Sequence, residues 1–317
     1  MMKIYCRPDP GAQTRGRVIP GRTLAVIRRL LGLLLCLHLA LPGGLAADEY
    51  VQYTGQGQIN WYSGEMSALS DPFFEGPPAR ASRSEAVKER RARIQARKRL
   101  WETLRRVRID RRLAVSDVLE GDSELAETIL GEVHNSRLQT VEDPDGGKRV
   151  RAALQLRGNL AGRLIPRSVW FEELLPGDVE ATREPEQDPE SGTVRESSGA
   201  YTGLVVDMRG LDFDPALLLR IHDQQGRELY GPTLVDPLLA IREGLCLYTT
   251  ELHAAVSADR VGENPFLVRI NRLEPGESSG IRFSPQTTED FLAGAQLETI
   301  YQQCRVVIVL KDGAQRQ

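Results

Sequence analysis

The sequence is poor in the residues that most often carry chemistry. Its 317 residues include only four cysteines and four histidines, and aromatic residues make up 6% of the chain. His134, His222 and His253 stand far apart, and none has the spacing of a metal-binding motif. The chain also lacks a glycine-rich loop ending in Gly-Lys-Ser or Gly-Lys-Thr, which argues against a P-loop nucleotide site. We therefore expect no catalytic residue, no metal ion and no cofactor.

An apolar run of membrane-spanning length is missing as well. The apolar stretch at residues 30–41 is about a dozen residues long, whereas a spanning helix needs roughly 20. Three arginines precede it, and two small residues follow it in the places that signal peptidase reads: Arg22, Arg28, Arg29, Gly44 and Ala46. Residues 1–47 are therefore predicted to be a signal peptide, with export to the periplasm or the outer-membrane periphery. The long segment before the arginines favours a start codon downstream of Met1.

Export changes how the cysteines are interpreted. Lipidation of Cys36 is one alternative, but Leu35 precedes it where a small residue is usual. The mature chain keeps Cys246 and Cys304, an even pair in an oxidising compartment. A disulfide between them is one interpretation, and two buried thiols acting as small apolar residues is the other.

Residues 84–107 are the most basic stretch of the chain and are predicted to form a helix with Ser84 as its N-cap. The helical spacing of Val87, Ile94, Trp101 and Leu104 predicts the face that is buried, so Trp101→Ala should destabilise the fold by about 3–5 kcal/mol. Basic residues crowd the other faces. The candidates for contact with an anion or a partner are Arg90, Arg91, Arg97, Lys98 and Arg105.

The basic helix allows several targets. Lysine and arginine neutralise phosphates, but export argues against nucleic acid as a partner. The remaining candidates are anionic lipid headgroups, the acidic sugars and peptides of the cell wall, and the acidic surface of a partner protein. A face that is merely solvated is the simplest alternative.

The pattern of elements predicts an α+β protein with two modules, each a mainly antiparallel sheet with covering helices. The first module, residues 48–175, contains the basic helix and a hairpin around the turn at residues 143–147. Residues 176–199 are acidic and lack apolar periodicity, which indicates a linker. The second module, residues 200–317, ends in the apolar run 305–310, typical of a central strand covered on both sides.

Four aspartates lie near predicted strand ends in the second module, together with His222: Asp207, Asp212, Asp214 and Asp223. Such a set could form a cation site or a general acid and base pair. The alternative is ordinary turn chemistry, since aspartate is common in turns and short loops.

Several of these segments resemble a bacterial envelope group, the outer-membrane lipoprotein family called LPP-twenty and the related flagellar T-ring assembly protein. The resemblance lies in INWYSGEMSA, in the Arg/Ala-rich helix ending in LWETL, in VRID and in LRGNLAGRLIP. The C-terminal YTGLVVDMRGLDFDPALLLRIHDQQGRELYG and QCRVVIVL look like the second half of exported members of the group. Lipoproteins of that group carry a lipidated cysteine, whereas Cys36 of this sequence follows Leu35 and lacks the usual small residue before it.

The resemblance implies a non-catalytic protein of the periplasm or outer-membrane periphery that takes part in assembly. Its expected partners are other envelope or flagellar proteins, with a second copy of the chain as a further candidate. An alternative is a module that binds the cell wall or an anionic membrane through the basic helix. The third and weakest hypothesis is a metal-dependent enzyme that uses the region of Asp207 and Asp223.

Overall fold

The computed structural model describes residues 49–55, 57–73, 81–170, 200–273 and 281–311, with backbone alone for residues 81–84. The predicted signal peptide, Cys36 and the predicted acidic linker lie outside the described residues. All described residues belong to one compact unit. Both halves contain helices and sheet, with one sheet in the first half and two in the second, which confirms the α+β class.

The first half builds one antiparallel sheet of five strands in the order β1-β2-β3-β5-β4. Its elements in chain order are β1 (Val51–Thr54), β2 (Gly57–Asn60), β3 (Glu65–Leu69), α1 (Ala81–Arg105), α2 (Val115–Gly121), α3 (Ser123–His134), β4 (Arg137–Glu142), β5 (Lys148–Gln155) and α4 (Asn159–Leu164). A 3-10 turn at Arg167–Trp170 ends this half. The long helix α1 lies against β2, β3 and β5.

The predicted hairpin is confirmed as β4 and β5. Asp143 N–H donates to the Gly147 carbonyl at 2.7 Å, and Gly146 adopts a φ of +76°, which glycine reaches without steric cost. The Asp143 carboxylate also accepts a hydrogen bond from Arg149 Nε at 2.6 Å. The turn residues therefore fix the register of the two strands.

The long helix buries only part of the face that was predicted: Leu104 is buried as expected, but the other three residues of that face are not. It begins at Ala81, so Ser84 lies inside it and is not its N-cap. Val87 and Ile94 are 65% and 61% exposed, and Trp101 is only half-buried. The buried positions follow one another at helical spacing: Ala92, Ala96, Leu100, Thr103 and Leu104.

The physical reason is close approach to the sheet. Small alanine side chains allow the helix to lie near the strands, and Thr103 faces the bare backbone of Gly57. A stripe of larger residues such as Val87 and Ile94 would hold the two layers further apart. Packing distance, and not side-chain hydrophobicity alone, therefore decides which face of α1 is inside.

The second half contains two sheets, of four strands in the order β10-β6-β12-β9 and of three in the order β11-β7-β8. Its elements are β6 (Gly203–Asp207), β7 (Ile221–His222), β8 (Glu228–Tyr230), α5 (Pro237–Glu243), β9 (Leu247–Thr249), α6 (Leu252–Val256), β10 (Pro265–Arg269), β11 (Ile281–Arg282), α7 (Pro285–Gly294), α8 (Leu297–Gln302) and β12 (Val306–Val309). A short 3-10 turn, Asp259–Val261, precedes β10.

All strand pairs of the four-stranded sheet are parallel, which differs from the mainly antiparallel sheet expected in this module. Every residue of β6 and β12 is buried, as parallel strands covered on both faces require. The closing run is confirmed as an interior strand, since β12 lies between β6 and β9. Strand pattern alone does not reveal the direction of the neighbouring strand, and the long connections here allow crossovers.

The two halves share one hydrophobic core. The rings of Trp61 and Tyr248 meet edge to face with centroids 5.6 Å apart. Backbone hydrogen bonds also join the halves. Leu218 N–H donates to the Ile109 carbonyl at 2.8 Å, and Gly158 N–H donates to the Ile241 carbonyl at 2.8 Å. The two modules of the sequence therefore meet in one continuous interior.

Candidate functional site

The side of α1 that points away from the sheet is the strongest candidate surface. We call it the outward face, and it consists of Val87, Arg90, Arg91, Ile94 and Lys98, all exposed. Each residue of an α-helix turns by about 100°, so Ile94 and Lys98, two positions either side of buried Ala96, project to the opposite side of the helix. Val87 lies seven residues before Ile94 and shares its direction.

Of the five basic residues predicted as contacts, the structure brings three together on this face. Arg90, Arg91 and Lys98 have no ion pair or side-chain hydrogen bond among the described residues. Arg105 points the same way but pairs with Glu120 at 3.0 Å. Arg97 is half-buried at the flank, and its Nε has no hydrogen-bond partner within the described part of the chain.

Acidic side chains near the helix are engaged at its flanks. Glu89 pairs with Arg93 at 2.5 Å. Arg99 reaches across to Asp71 at 2.6 Å, and hydrogen bonds from Arg99 and from Gln95 lower the pKa of Asp71. These two carboxylates are matched by other arginines, whereas exposed Glu102 lies one helical turn after Lys98. The outward face keeps a positive balance because Arg90, Arg91 and Lys98 outnumber Glu102.

The exposed aliphatic pair on this face was missed by the sequence interpretation, which placed Val87 and Ile94 in the core. The signal that could have found it is the spacing of Ala92, Ala96, Leu100 and Leu104, a complete four-residue repeat of small and apolar side chains. Taking that stripe as the buried one leaves Val87 and Ile94 among the basic residues.

The aspartates of the second half do not assemble into a metal site. Asp207 ends β6 and accepts two hydrogen bonds from the Arg209 guanidinium, each at 2.9 Å. Burial alone would raise the pKa of Asp207, but the hydrogen bonds and charge of Arg209, with the charge of Arg269, lower it. Within the described ranges, no group of three or more histidine, cysteine or acidic side chains could hold a metal ion.

Asp223 follows β7 in the other sheet and serves its own turn. Its carboxylate accepts hydrogen bonds from the backbone N–H groups of Gln225 and Arg227 and pairs with the Arg227 side chain at 3.0 Å. This is the turn chemistry that was the alternative to a cation site. The hypothesis of an enzyme that uses the Asp207 and Asp223 region gains no geometric support.

Cys246 and Cys304 are both free thiols in the structure and both are buried. Burial raises the pKa of the Cys246 thiol to about 11 and also raises that of Cys304. The structure thus corresponds to the interpretation of two buried thiols and does not contain a disulfide between them. The Arg260 guanidinium donates to the Cys304 carbonyl at 2.7 Å and to the Gly244 carbonyl at 2.5 Å, which ties the two cysteine-bearing segments together.

Residues 276–280 read Gly-Glu-Ser-Ser-Gly and match the letters of the Gly-x-Ser-x-Gly pattern of serine hydrolases, a match that the sequence interpretation overlooked. The segment lies outside the described residues. It falls between strands β10 and β11, whereas the nucleophile elbow of those enzymes joins a strand to a helix.

Two concave regions are small or already occupied by structural contacts. A cavity of about 30 Å³ lies where the halves meet, beside Trp61, Arg157 and Cys246. An open groove of about 290 Å³ crosses the first sheet beside Tyr53, Arg149 and Arg151. The two arginines of the groove pair with Asp143 and Glu65, so they are not free to take a ligand's charge.

One comparison with known proteins gives a match. Residues 203–312 match the family model described as the second domain of Treponema pallidum Tp0624, which covers less than half of the chain. None of the curated proteins compared with the chain matches it. Among the residues that the structure describes, no helix combines the length and apolar character needed to cross a membrane. The resemblance to the LPP-twenty group and the flagellar T-ring protein stays a prediction.

Proposed function

We propose that the protein is an exported, non-catalytic assembly protein of the bacterial envelope, located in the periplasm or at the outer-membrane periphery. It acts by binding other envelope components through the outward face of α1. Other envelope or flagellar proteins are the partners that the sequence resemblance implies.

The observation that carries this proposal is the exposure of Val87 and Ile94 in a basic field. Isolated exposed aliphatic residues are ordinary on protein surfaces. Here two of them share one side of a helix with three basic side chains that have no ion pair within the described part of the chain, and the opposite side of the helix supplies the core. Such a combination of apolar area and charge is typical of a surface that contacts something.

A second surface is available to protein partners. Strand β4 is at the edge of its sheet, and no described strand pairs with its other side. None of its six residues is fully buried, and edge backbone groups accept an added strand from another chain. A protein partner can therefore bind at β4 while the outward face of α1 contacts another envelope component.

A second candidate function is a module that binds the cell wall or an anionic membrane surface. The composition of the outward face favours it, because Arg90, Arg91 and Lys98 are all cationic and outnumber exposed Glu102, which lies one turn after Lys98. Retention on isolated cell wall, without discrete protein partners, would be the signature of that function.

Site-directed photo-crosslinking in cells tests the assembly proposal. A photoreactive amino acid replaces Ile94 in one strain and Leu238 in a control strain. Leu238 lies on α5 and is also an exposed apolar residue, at 78% against 61% for Ile94. A second pair of probes replaces Thr140 on β4 and Leu234 near α5. Discrete envelope proteins captured from Ile94 or Thr140, but not from the controls, support assembly. Capture that is absent or equal at all four positions would refute it.

A further inference from the structure

We propose that the outward face of α1 rests on an anionic lipid bilayer, with Val87 and Ile94 entering the headgroup region. The inference depends on the proposed function for its envelope location, and it names the contact that this one face makes. It is argued from three properties of the face: its shape, its charge and the residues that it lacks.

The face is a ridge. α1 is 25 residues long and lies flat on its sheet through the buried stripe that includes Ala92, Ala96 and Leu100. The outward side is exposed from Val87 to Lys98, about 17 Å at 1.5 Å per residue, and is partly covered from Trp101 onward. A straight ridge touches a flat surface along its length, whereas a peptide or small ligand needs a groove or pocket.

Its charges complement an anionic surface. Arg90 and Arg91 lie between Val87 and Ile94 along the chain, and Lys98 follows one turn after Ile94. Long basic side chains can hold their charged ends at the headgroups while their stems cover apolar surface. Aliphatic residues flanked by lysine and arginine on one helix side are the arrangement of helices that lie in the membrane interface.

The face lacks the usual anchors of a protein interface. Hot spots of protein complexes are rich in tryptophan and tyrosine that fill pockets. The aromatic residue of α1, Trp101, is half-buried and packs against the protein's own core. The outward face therefore offers aliphatic tips and mobile charges, which suit a fluid lipid surface better than a shaped protein pocket.

Charge and insertion predict separable effects. Each basic residue near an anionic membrane contributes about a fivefold factor in affinity, so replacing three of them should weaken binding about 100-fold. Because two partly inserted aliphatic residues add a smaller contribution, replacing them should weaken binding about tenfold. The charge effect should be absent on zwitterionic vesicles, and raising the salt concentration should reduce it on anionic ones.

Cosedimentation of the full-length protein with vesicles tests the inference. The vesicles are phosphatidylcholine alone or phosphatidylcholine with about 30% phosphatidylglycerol, which gives the surface a clear negative charge. The charge variant is Arg90→Gln, Arg91→Gln and Lys98→Gln combined. Its matched control removes three exposed arginines elsewhere, as Arg163→Gln, Arg167→Gln and Arg242→Gln. The insertion variant is Val87→Ser with Ile94→Ser, and its control is Leu234→Ser with Leu238→Ser.

The expected result is binding to anionic vesicles that the charge variant loses about 100-fold and the insertion variant about tenfold, while both controls bind like the unchanged protein. All proteins share the same N-terminus, so residues 1–48 contribute equally to each. Unchanged thermal unfolding of the variants excludes loss of fold as the cause.

Three outcomes would overturn the inference: no binding to anionic vesicles at low salt, equal binding to both kinds of vesicle, or losses in the controls as large as in the variants. If vesicles fail to bind while Ile94 captures envelope proteins, the lipid inference falls and the assembly function stands. If vesicles bind as expected and no discrete protein is captured, the assembly function falls and the lipid inference stands.

Discussion

Gly57 of β2 and Thr103 of α1 meet at a point where the helix and the sheet are too close for a side chain on both. A Cβ atom built at Gly57 would lie 1.9 Å from Thr103 Oγ1 and 2.9 Å from Thr103 Cβ. Thr103 is itself fixed, because its hydroxyl donates to the Arg99 carbonyl at 2.8 Å. The absence of a side chain at Gly57 therefore sets the distance between the two layers.

Gly57→Ala should destabilise the protein by about 1–3 kcal/mol, since an inserted methyl group forces the helix or the strand to move. Urea unfolding measures the change. Thr103→Ala removes the nearest atom, so the double variant should lose less than the sum of the two single losses. Additive losses would show that these residues do not oppose each other.

Leu100→Ala should cost about 2–5 kcal/mol, because Leu100 is fully buried against the sheet. Ile94→Ala should change the unfolding free energy by less than about 0.5 kcal/mol, since Ile94 is largely exposed. The comparison tests the orientation of α1 directly. A larger loss for Ile94→Ala than for Leu100→Ala would restore the face predicted from the sequence.

Arg220→Leu should destabilise the protein by about 3–5 kcal/mol, because it leaves the Glu228 carboxylate buried without its cation. Arg220 NH1 lies 2.5 Å from Glu228 Oε2, and the carboxylate side chain is 1% exposed. Glu228 Oε1 also accepts a hydrogen bond from Thr233 Oγ1 at 2.6 Å. The double variant Arg220→Leu with Glu228→Gln should recover part of the loss, and unfolding by urea would reveal a failure to do so.

Asp207→Asn should lower stability at neutral pH by about 1 kcal/mol, a value reduced because Arg209 is 42% exposed and its charge is screened by water. The pKa of Asp207 is lowered in the folded protein, so its contribution is present above the unfolded pKa of about 3.9 and is lost as the pH falls through the folded pKa. The difference between the two proteins should therefore shrink in acid. Thermal unfolding from pH 7 to pH 3 measures it, with Asp259→Asn, an exposed aspartate, as the control.

The thiols of Cys246 and Cys304 should resist alkylation by iodoacetamide at pH 8 in the folded protein, because both are buried and the raised pKa of Cys246, about 11, keeps it protonated. After unfolding without a reductant, peptide mapping should find both cysteines alkylated. A disulfide-linked pair of peptides would instead establish the bond that the oxidising compartment suggests.

Sequence patterns predicted the elements that depend on local chemistry. The turn at residues 143–147 and the β12 strand are both present. Ser284 followed by Pro285 is a local helix-start signal, and Ser284 caps α7 by accepting a hydrogen bond from Thr287 N–H. The apolar run at residues 217–222 has the composition of a strand, but only Ile221–His222 form one. Its earlier residues instead pair across to the first half, where Leu217 N–H donates to the Arg108 carbonyl.

Features that depend on distant partners were not predictable in the same way. The buried face of α1 depends on Gly57, about 40 residues earlier in the chain, and the parallel order of β6, β12 and β9 depends on how long connections cross. The candidate site was predicted in part. Arg90, Arg91 and Lys98 are exposed, as the sequence predicted for the basic face. The exposure of Val87 and Ile94 depends on how α1 packs on the sheet, which the sequence pattern of the helix does not reveal.

The isolated bridge between Glu49 and Thr249 brings an early part of the described chain against a late one. A ribosome adds about 5–20 residues each second, so the partner of Glu49 appears roughly 10–40 s after it. During that interval Trp61 has no Tyr248 to pack against. Contacts of such long range also slow folding itself. The apolar residues of the first half that pack against the second therefore lack their partners until the chain is nearly complete, and a chaperone that covers them during that interval would protect the chain from aggregation.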